Sequence, residues 1–422
     1  MHLHGARMCS LRHLVLVSLL LSWQRAGAEP LPGPDLDSRP GATAWPAPPF
    51  TAWVAVGTLN VRLAPDAASP EVGLLNYGDP IKVIRCVPDC ARPSAWAMLD
   101  GLGAVRLSML RALPEEDRAA ALASTARFVY GRVRWRGGIA YAHPDLAATR
   151  VGHAVKAGHD LAFRVDEALL ARGWLRRPSG EYMPLAGIKL HHASPFAGLH
   201  DPPPAVAFTL RATTVRPDDP GAATVDVARH ESLAALGLAQ GQRLRVPGGT
   251  VARAAVRIAT RRPRPAGVPA DARWVHVDLS EQTLTAYEGD ALVFATLIST
   301  GKPGFETPPG TYHVWHKSIH SAMHGDEPDR YFVDEVPFVL YIVKGTALHG
   351  TFWHDRFGER SSHGCINLSL ADASWPFEWA PPPLPEGWHA IEPAGANLAS
   401  LWVVVERSAR LALPPHTTVS QR

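Results

Sequence analysis

Lysine is scarce in this chain, with six residues among 422 against 36 arginines. Charged residues as a whole make up 19%, below the usual share of about 25%. The formal net charge is only +3. So weak a balance excludes the concentrated basic face of an electrostatic nucleic-acid binder, and the arginine bias reads as compositional rather than functional. Long apolar runs are lacking too. Beyond Leu14 to Leu21, no stretch approaches the roughly 18 uninterrupted apolar residues of a permanent membrane span. Cysteine is the third scarcity, with four residues in all: Cys9, Cys86, Cys90 and Cys365. No second close pair exists to complete a zinc site begun by Cys86 and Cys90. What is plentiful is hydrophobic material, at 46%, together with 39 prolines and 35 glycines. That composition excludes a wholly disordered or fibrous chain and favours turns and β structure. The length suggests two to four domains at about 150 residues each.

The first 28 residues have the layout of an export signal. Arg7 and Arg12 precede the apolar run, and Ala26-Gly27-Ala28 supplies a small-residue cleavage site. Cys9 lies before the apolar run, which argues against a lipid-modified N-terminus. Export implies a destination in the periplasm or cell wall, where disulfides persist. Cys86-Val-Pro-Asp-Cys90 encloses a tight turn, and a Cys86–Cys90 disulfide would leave Cys365 as a lone thiol. An unpaired thiol in an oxidising compartment needs a function.

Residues 29–50 are proline-rich and read as a linker. From 51 to 113, short β-branched runs alternate with Gly, Pro and Asp turns, the spacing of a small barrel. Leu59-Asn60-Val61-Arg62, Gly78-Asp79-Pro80-Ile81, Trp96 and Gly101 to Val105 resemble a bacterial SH3-like domain. Such modules commonly accompany enzymes acting on the cell wall. After an alanine-rich connector following Pro114, residues 128–195 suggest a second SH3-like unit. Residues 200–270 read as a linker or a further small β module. From Arg273 the strand signal strengthens: Trp274 to Leu279, Thr283 to Tyr287, Ala291 to Ile298, Thr311 to Trp315 and Val336 to Val343. Ser369 with Asp372 has the spacing of a helix start.

Residues 348–367 concentrate three histidines, three glycines and Cys365. A free thiol is only a few per cent ionised at neutral pH and needs a base. The base needs a group that fixes its tautomer, and the oxyanion needs backbone donors, which glycine lets approach. His363 would share a face with Cys365 if 363–365 were extended, and His349 could fold back from upstream. The residues alone leave open which of the two is the base. Gly364 is a candidate for the oxyanion region.

His349-Gly350, and then Ser362-His363-Gly364-Cys365-Ile366-Asn367, resemble the signature of the L,D-transpeptidase (YkuD-like) catalytic domain. Asp278-Leu279 with Gln282, Ser299-Thr300-Gly301-Lys302 and Thr307-Pro308-Pro309-Gly310 extend the resemblance over about 273–405. It implies Cys365 as nucleophile, His349 as proton acceptor and donor, and the Gly350 carbonyl as the group orienting His349. His363 becomes a supporting catalytic residue. Ser362, Asn367, His324 and His354 are candidate substrate contacts. The implied reaction is acyl transfer on peptidoglycan stem peptides. It proceeds through a thioester that releases the terminal D-alanine and forms a 3→3 cross-link, without metal or organic cofactor, and the cysteine is expected to react with carbapenems. The expected fold is mainly β, with SH3-like barrel modules followed by a β-sandwich catalytic domain with few short helices.

Three rivals stand beside this reading. His313, His316, His320 and His324 would share a helix face and could hold zinc. A wall-binding relic is a second. Transfer to water or to a protein amine is a third. The pattern leaves the oligomeric state open.

Overall fold

The computed structural model describes residues 45–92, 94–113, 128–134, 138–239, 242–325 and 330–408. The export signal at 1–28, the linker as far as residue 44 and the alanine-rich connector lie outside the described residues. The chain is mainly β, with few and short helices. Among the described residues no helix is long and apolar enough to cross a membrane.

In the first unit, Phe50–Val54 lies between Pro80–Val87 and Leu110–Leu113, antiparallel to both. Along Thr58–Arg62, Leu59 and Val61 turn inward while their neighbours stay exposed or half-buried, the two-residue alternation of a strand with one buried face. Cys86 and Cys90 are joined by a disulfide with Cα atoms 5.1 Å apart. The core of this unit is completed from far along the chain by Trp388 and Ile391. Gly73 makes room for that tryptophan, since a Cβ there would lie 2.2 Å from the Trp388 ring. The two-residue strand Ala390–Ile391 pairs with Glu71–Asn76 on one side and with His316–Gly325 on the other. The first unit is thereby joined to the sheet of the long C-terminal hairpin. Trp388→Ala should lower stability by about 3–5 kcal/mol, the cost of emptying a buried aromatic site. A fall in thermal midpoint with the Cys86–Cys90 bond intact would register it.

Residues 128–190 form a second small β unit with its own core around Val133, Leu161, Phe163 and Met183. Residues 205–260, for which a linker was one reading, fold as a third β unit around Val215, Leu244, Val251 and Ile258. All three units end alike. A strand runs into a single 3-10 turn (Leu107–Met109, Leu185–Gly187, Arg253–Ala255), whose first carbonyl accepts the N–H of the next strand's first residue.

The C-terminal part of the chain is two sheets around one core. The first sheet runs in the order Leu199–His200, Ala291–Leu297, Thr283–Glu288, Arg273–Asp278, Trp402–Glu406, Gly310–His313. The second is built on a long hairpin, His316–Gly325 with Tyr331–Val343. Its sheet continues through Thr346–Gly350 to the parallel strand Ile366–Leu368. Where a short strand over Val336 to Val343 was expected, the strand runs for thirteen residues. Val275, Val277, Leu284 and Phe294 from the first sheet meet Leu340, Ile342, Leu348, Ile366 and Leu368 from the second, with Ala373 and Phe377 of helix Leu370–Trp379 closing the end.

Candidate active site

The register of the second sheet decides where the chemistry lies. Thr346–Gly350 and Ile366–Leu368 are parallel, pairing Leu348 with Ile366 and His349 with Asn367. Leu348, Ile366 and Leu368 enter the sandwich core. By the two-residue alternation, Ala347, His349 and Asn367 then take the opposite face. Cys365, one residue before the second strand, packs there against the cluster containing Ala347, Phe352 and Val339, with Tyr331, Tyr341 and Trp353 beside it. The sixteen-residue separation of His349 and Cys365 in sequence is closed by one strand pair.

His349 is buried, with Nδ1 3.1 Å from the Gly350 carbonyl oxygen. A carbonyl only accepts, so Nδ1 carries the proton and Nε2 is left with its lone pair. Burial lowers the His349 pKa to about 4, because the imidazolium loses its hydration there. The same cause pushes the Cys365 thiol up to about 11. At neutral pH both the thiol and the imidazole are therefore uncharged.

The turn that delivers Cys365 is not extended. Gly364 has φ +120°, a conformation that L side chains rarely adopt. Its N–H donates to Ser362 Oγ at 3.1 Å, and its carbonyl accepts from Thr307 Oγ1 at 2.7 Å. Ser362 Oγ also donates to the Cys365 carbonyl at 2.6 Å. Ser362 is thus occupied in shaping the turn, and the Gly364 N–H, expected in the oxyanion region, is engaged within it. Thr307 in turn accepts from the Gly301 N–H at 3.0 Å, so the Ser299–Lys302 and Thr307–Gly310 motifs brace the turn that carries Cys365.

A model of the L,D-transpeptidase catalytic domain (YkuD) matches residues 272–395. This segment is an L,D-transpeptidase catalytic domain. The chain is 28% identical over 119 residues to "Putative L,D-transpeptidase YciB" of Bacillus subtilis, covering 26% of this chain and 61% of that protein. It is 35% identical over 86 residues to "Probable L,D-transpeptidase 3" of Mycobacterium tuberculosis, covering 18% and 32%. The chain therefore spans less than two thirds of either curated relative. Among solved structures, the catalytic domain of the Enterococcus faecium L,D-transpeptidase is 24% identical, covering 32% of this chain and 98% of that one, with a TM-score of 0.26.

Within the L,D-transpeptidase domain the remaining histidines are dispersed. Because residues 363–365 bend rather than extend, His363 does not follow the strand face of Cys365. Its ring packs on Phe305 and Tyr331 with centroids 4.7 Å away in each case, and Nε2 lies 3.1 Å from Lys302 Nζ. His324 is exposed on the long hairpin opposite Phe332. His354 has both ring nitrogens turned to groups of its own chain, the Arg356 N–H at 3.2 Å and the Asn367 amide at 2.9 Å, which leaves neither for a bound substrate. The helix face proposed for His313, His316, His320 and His324 does not form, because these residues lie on two strands. His313 packs on Trp402 with the rings tilted, His316 meets Glu392 and His320 faces Glu335. Among the described residues no group of three or more His, Cys, Asp or Glu is placed to hold a metal ion.

Residues invisible to motif reading hold the loop that joins His349 to Cys365. Tyr130 of the second unit stacks on Phe352 with centroids 3.8 Å apart. In the third unit Arg229 pairs with Asp355 at 2.7 Å, and Arg257 Nε donates to the Gly358 carbonyl at 2.9 Å. Phe357 is buried against Phe196 and Phe208. Arg257→Ala should lower kcat by about tenfold, a loss of roughly 1.4 kcal/mol of positioning. Steady-state assay beside a melting curve would separate that from unfolding.

Proposed function

We propose that this protein is a peptidoglycan L,D-transpeptidase acting through a Cys365 acyl-enzyme. The observation that supports it most directly is the parallel pair that brings the strand of His349 beside the turn carrying Cys365, with the Gly350 carbonyl holding Nε2 of His349 free as a base. In the first step the thiol proton passes to His349 Nε2 as Sγ bonds to the carbonyl carbon of the third stem residue. Collapse of the tetrahedral adduct breaks the bond to the terminal D-alanine, whose amine leaves with the proton returned by His349. The thioester is then attacked by the side-chain amine of a second stem. His349 takes that amine's proton and gives it to the departing thiolate, which leaves a 3→3 cross-link. This chemistry calls for no metal or organic cofactor.

Purified mature protein given disaccharide tetrapeptides should yield 3→3 dimers and free D-alanine, read by mass spectrometry. D-alanine without dimers would indicate water as acceptor, and neither product would leave a wall-binding role. A carbapenem should add one drug mass to the peptide carrying Cys365, with chelators leaving activity unchanged. Export to the periplasm or cell wall is part of the same proposal, supported by Ala26-Gly27-Ala28 and by the disulfide at Cys86 and Cys90. N-terminal sequencing of the secreted protein should begin at Glu29.

A further inference from the structure

The face of the second sheet that carries Cys365 continues into a group of aromatic rings that the reaction does not use. His316 is paired across the long hairpin with Tyr341, and Tyr341 in turn with Ala347. Directly opposed residues point to the same face, and Tyr341 and Ala347 pack in the apolar cluster that includes Cys365. The Ala347 backbone N–H reaches the Cys365 sulfur. One row therefore crosses the sheet, from His316 through Tyr341 and Ala347 to the thiol. At the far end of that row, Trp315 donates its backbone N–H to the Tyr341 carbonyl at 3.0 Å. Its ring centroid lies 5.4 Å from that of His316 and 5.8 Å from that of Tyr341, at interplanar angles of 49° and 41°. Neither neighbour lies flat on the indole, and Trp315 is 43% exposed. Beside it, His316 Nδ1 lies 3.3 Å from the Glu392 carboxylate, which gives the aromatic group a polar edge.

We propose that Trp315, with His316 and Tyr341 behind it, is a subsite for the amino-sugar ring of the glycan that bears the donor stem. The inference rests on the reading of the chain as a peptidoglycan L,D-transpeptidase. Neighbouring strands are about 4.8 Å apart, so three steps along the row separate the rings from Cys365 by about 14 Å. Three extended residues and the link that joins the first to the sugar span about 13 Å. A stem whose third carbonyl carbon lies at Cys365 Sγ can therefore set its sugar on the indole. The C–H face of a pyranose ring carries partial positive charge and suits the negative face of an aromatic ring. Its hydroxyls both donate and accept, and His316 with Glu392 offers them partners. A group of three rings is far smaller than the roughly 800 Å² that each partner buries in a stable protein interface, which favours a sugar over a protein.

The test uses the full mature chain carrying Cys365→Ala, so that nothing is turned over. Two ligands are titrated by calorimetry beside melting curves: the disaccharide tetrapeptide, and the same tetrapeptide without sugar. The sugar-bearing ligand should bind about tenfold more tightly. Adding Trp315→Ala should remove that preference while free tetrapeptide binds within about twofold of before. Trp315→Phe keeps a ring face and should keep most of the preference. Trp315→Leu, apolar but without a ring, takes the place of alanine if that variant melts early. With Cys365 intact, Trp315→Ala should raise KM for the disaccharide tetrapeptide and leave the rate of carbapenem acylation unchanged, since that reagent carries no sugar. Equal binding of the two ligands, or a sugar preference that survives Trp315→Ala, would overturn the proposal. If 3→3 dimers still formed in that case, only the subsite would fall. A preference lost with Trp315 in a protein without turnover would refute the reaction and support the subsite, and binding of neither ligand would overturn both.

Discussion

Cys365→Ala is expected to reduce transpeptidation by at least about a thousand-fold, the scale on which nucleophile deletions act, while the melting curve stays near wild type. Cys365 is only half-buried and lies at the rim of its apolar cluster, so losing sulfur opens little volume. Cys365→Ser should be almost as damaging. A hydroxyl is far less acidic than a thiol, and His349, with its pKa lowered to about 4, is too weak a base to make up the difference. The geometry of the turn should survive both changes, because Ser362, Thr307 and Gly364 hold it through backbone atoms. An acyl adduct retained in Cys365→Ala, detected by intact mass, would assign the nucleophile elsewhere.

How much of this could be read from the sequence depended on distance along the chain. That His349 could fold back toward Cys365 was legible because both fall within a twenty-residue window of known pattern, but the parallel strand pair that does it was not. The sandwich strands were legible because their alternation is local. Even so, the positive φ of Glu335 and Phe338 (47° and 59°) concealed the full length of the long strand around Val336 to Val343. The bend at Gly364 was lost for a related reason, since a motif gives identity and spacing but not the dihedral angle. The third β unit could not be told from a linker because its strands are three to five residues long and are joined by segments containing proline and glycine. Its shared ending with the other two units could have revealed it. Hardest to read were the partners that hold the catalytic loop. Arg229 and Arg257 stand more than a hundred residues from the residues they grip, in a chain whose arginine content makes no single arginine conspicuous.

His349→Ala should expose the cost of ionising the thiol without help. With the Cys365 pKa raised to about 11, only about one molecule in ten thousand is thiolate at pH 7. A variant lacking the base must work through that fraction. Its kcat/KM should therefore fall about 10³- to 10⁴-fold at pH 7 and recover about tenfold with each unit of rising pH. Wild type should behave differently. His349 accepts the proton through an unprotonated Nε2, so activity is full above its pKa and falls about tenfold per unit once pH drops through about 4. Between those limits the wild-type profile should be flat, because neither partner changes charge. Combining His349→Ala with Cys365→Ala should cost no more than Cys365→Ala alone, since the two groups act as one unit. A wild-type acid limb near pH 6 to 7 would mean that His349 titrates near the ordinary imidazole value and that burial does not lower it. A steep alkaline rise in wild type, like that expected of the variant, would mean that His349 is not the base.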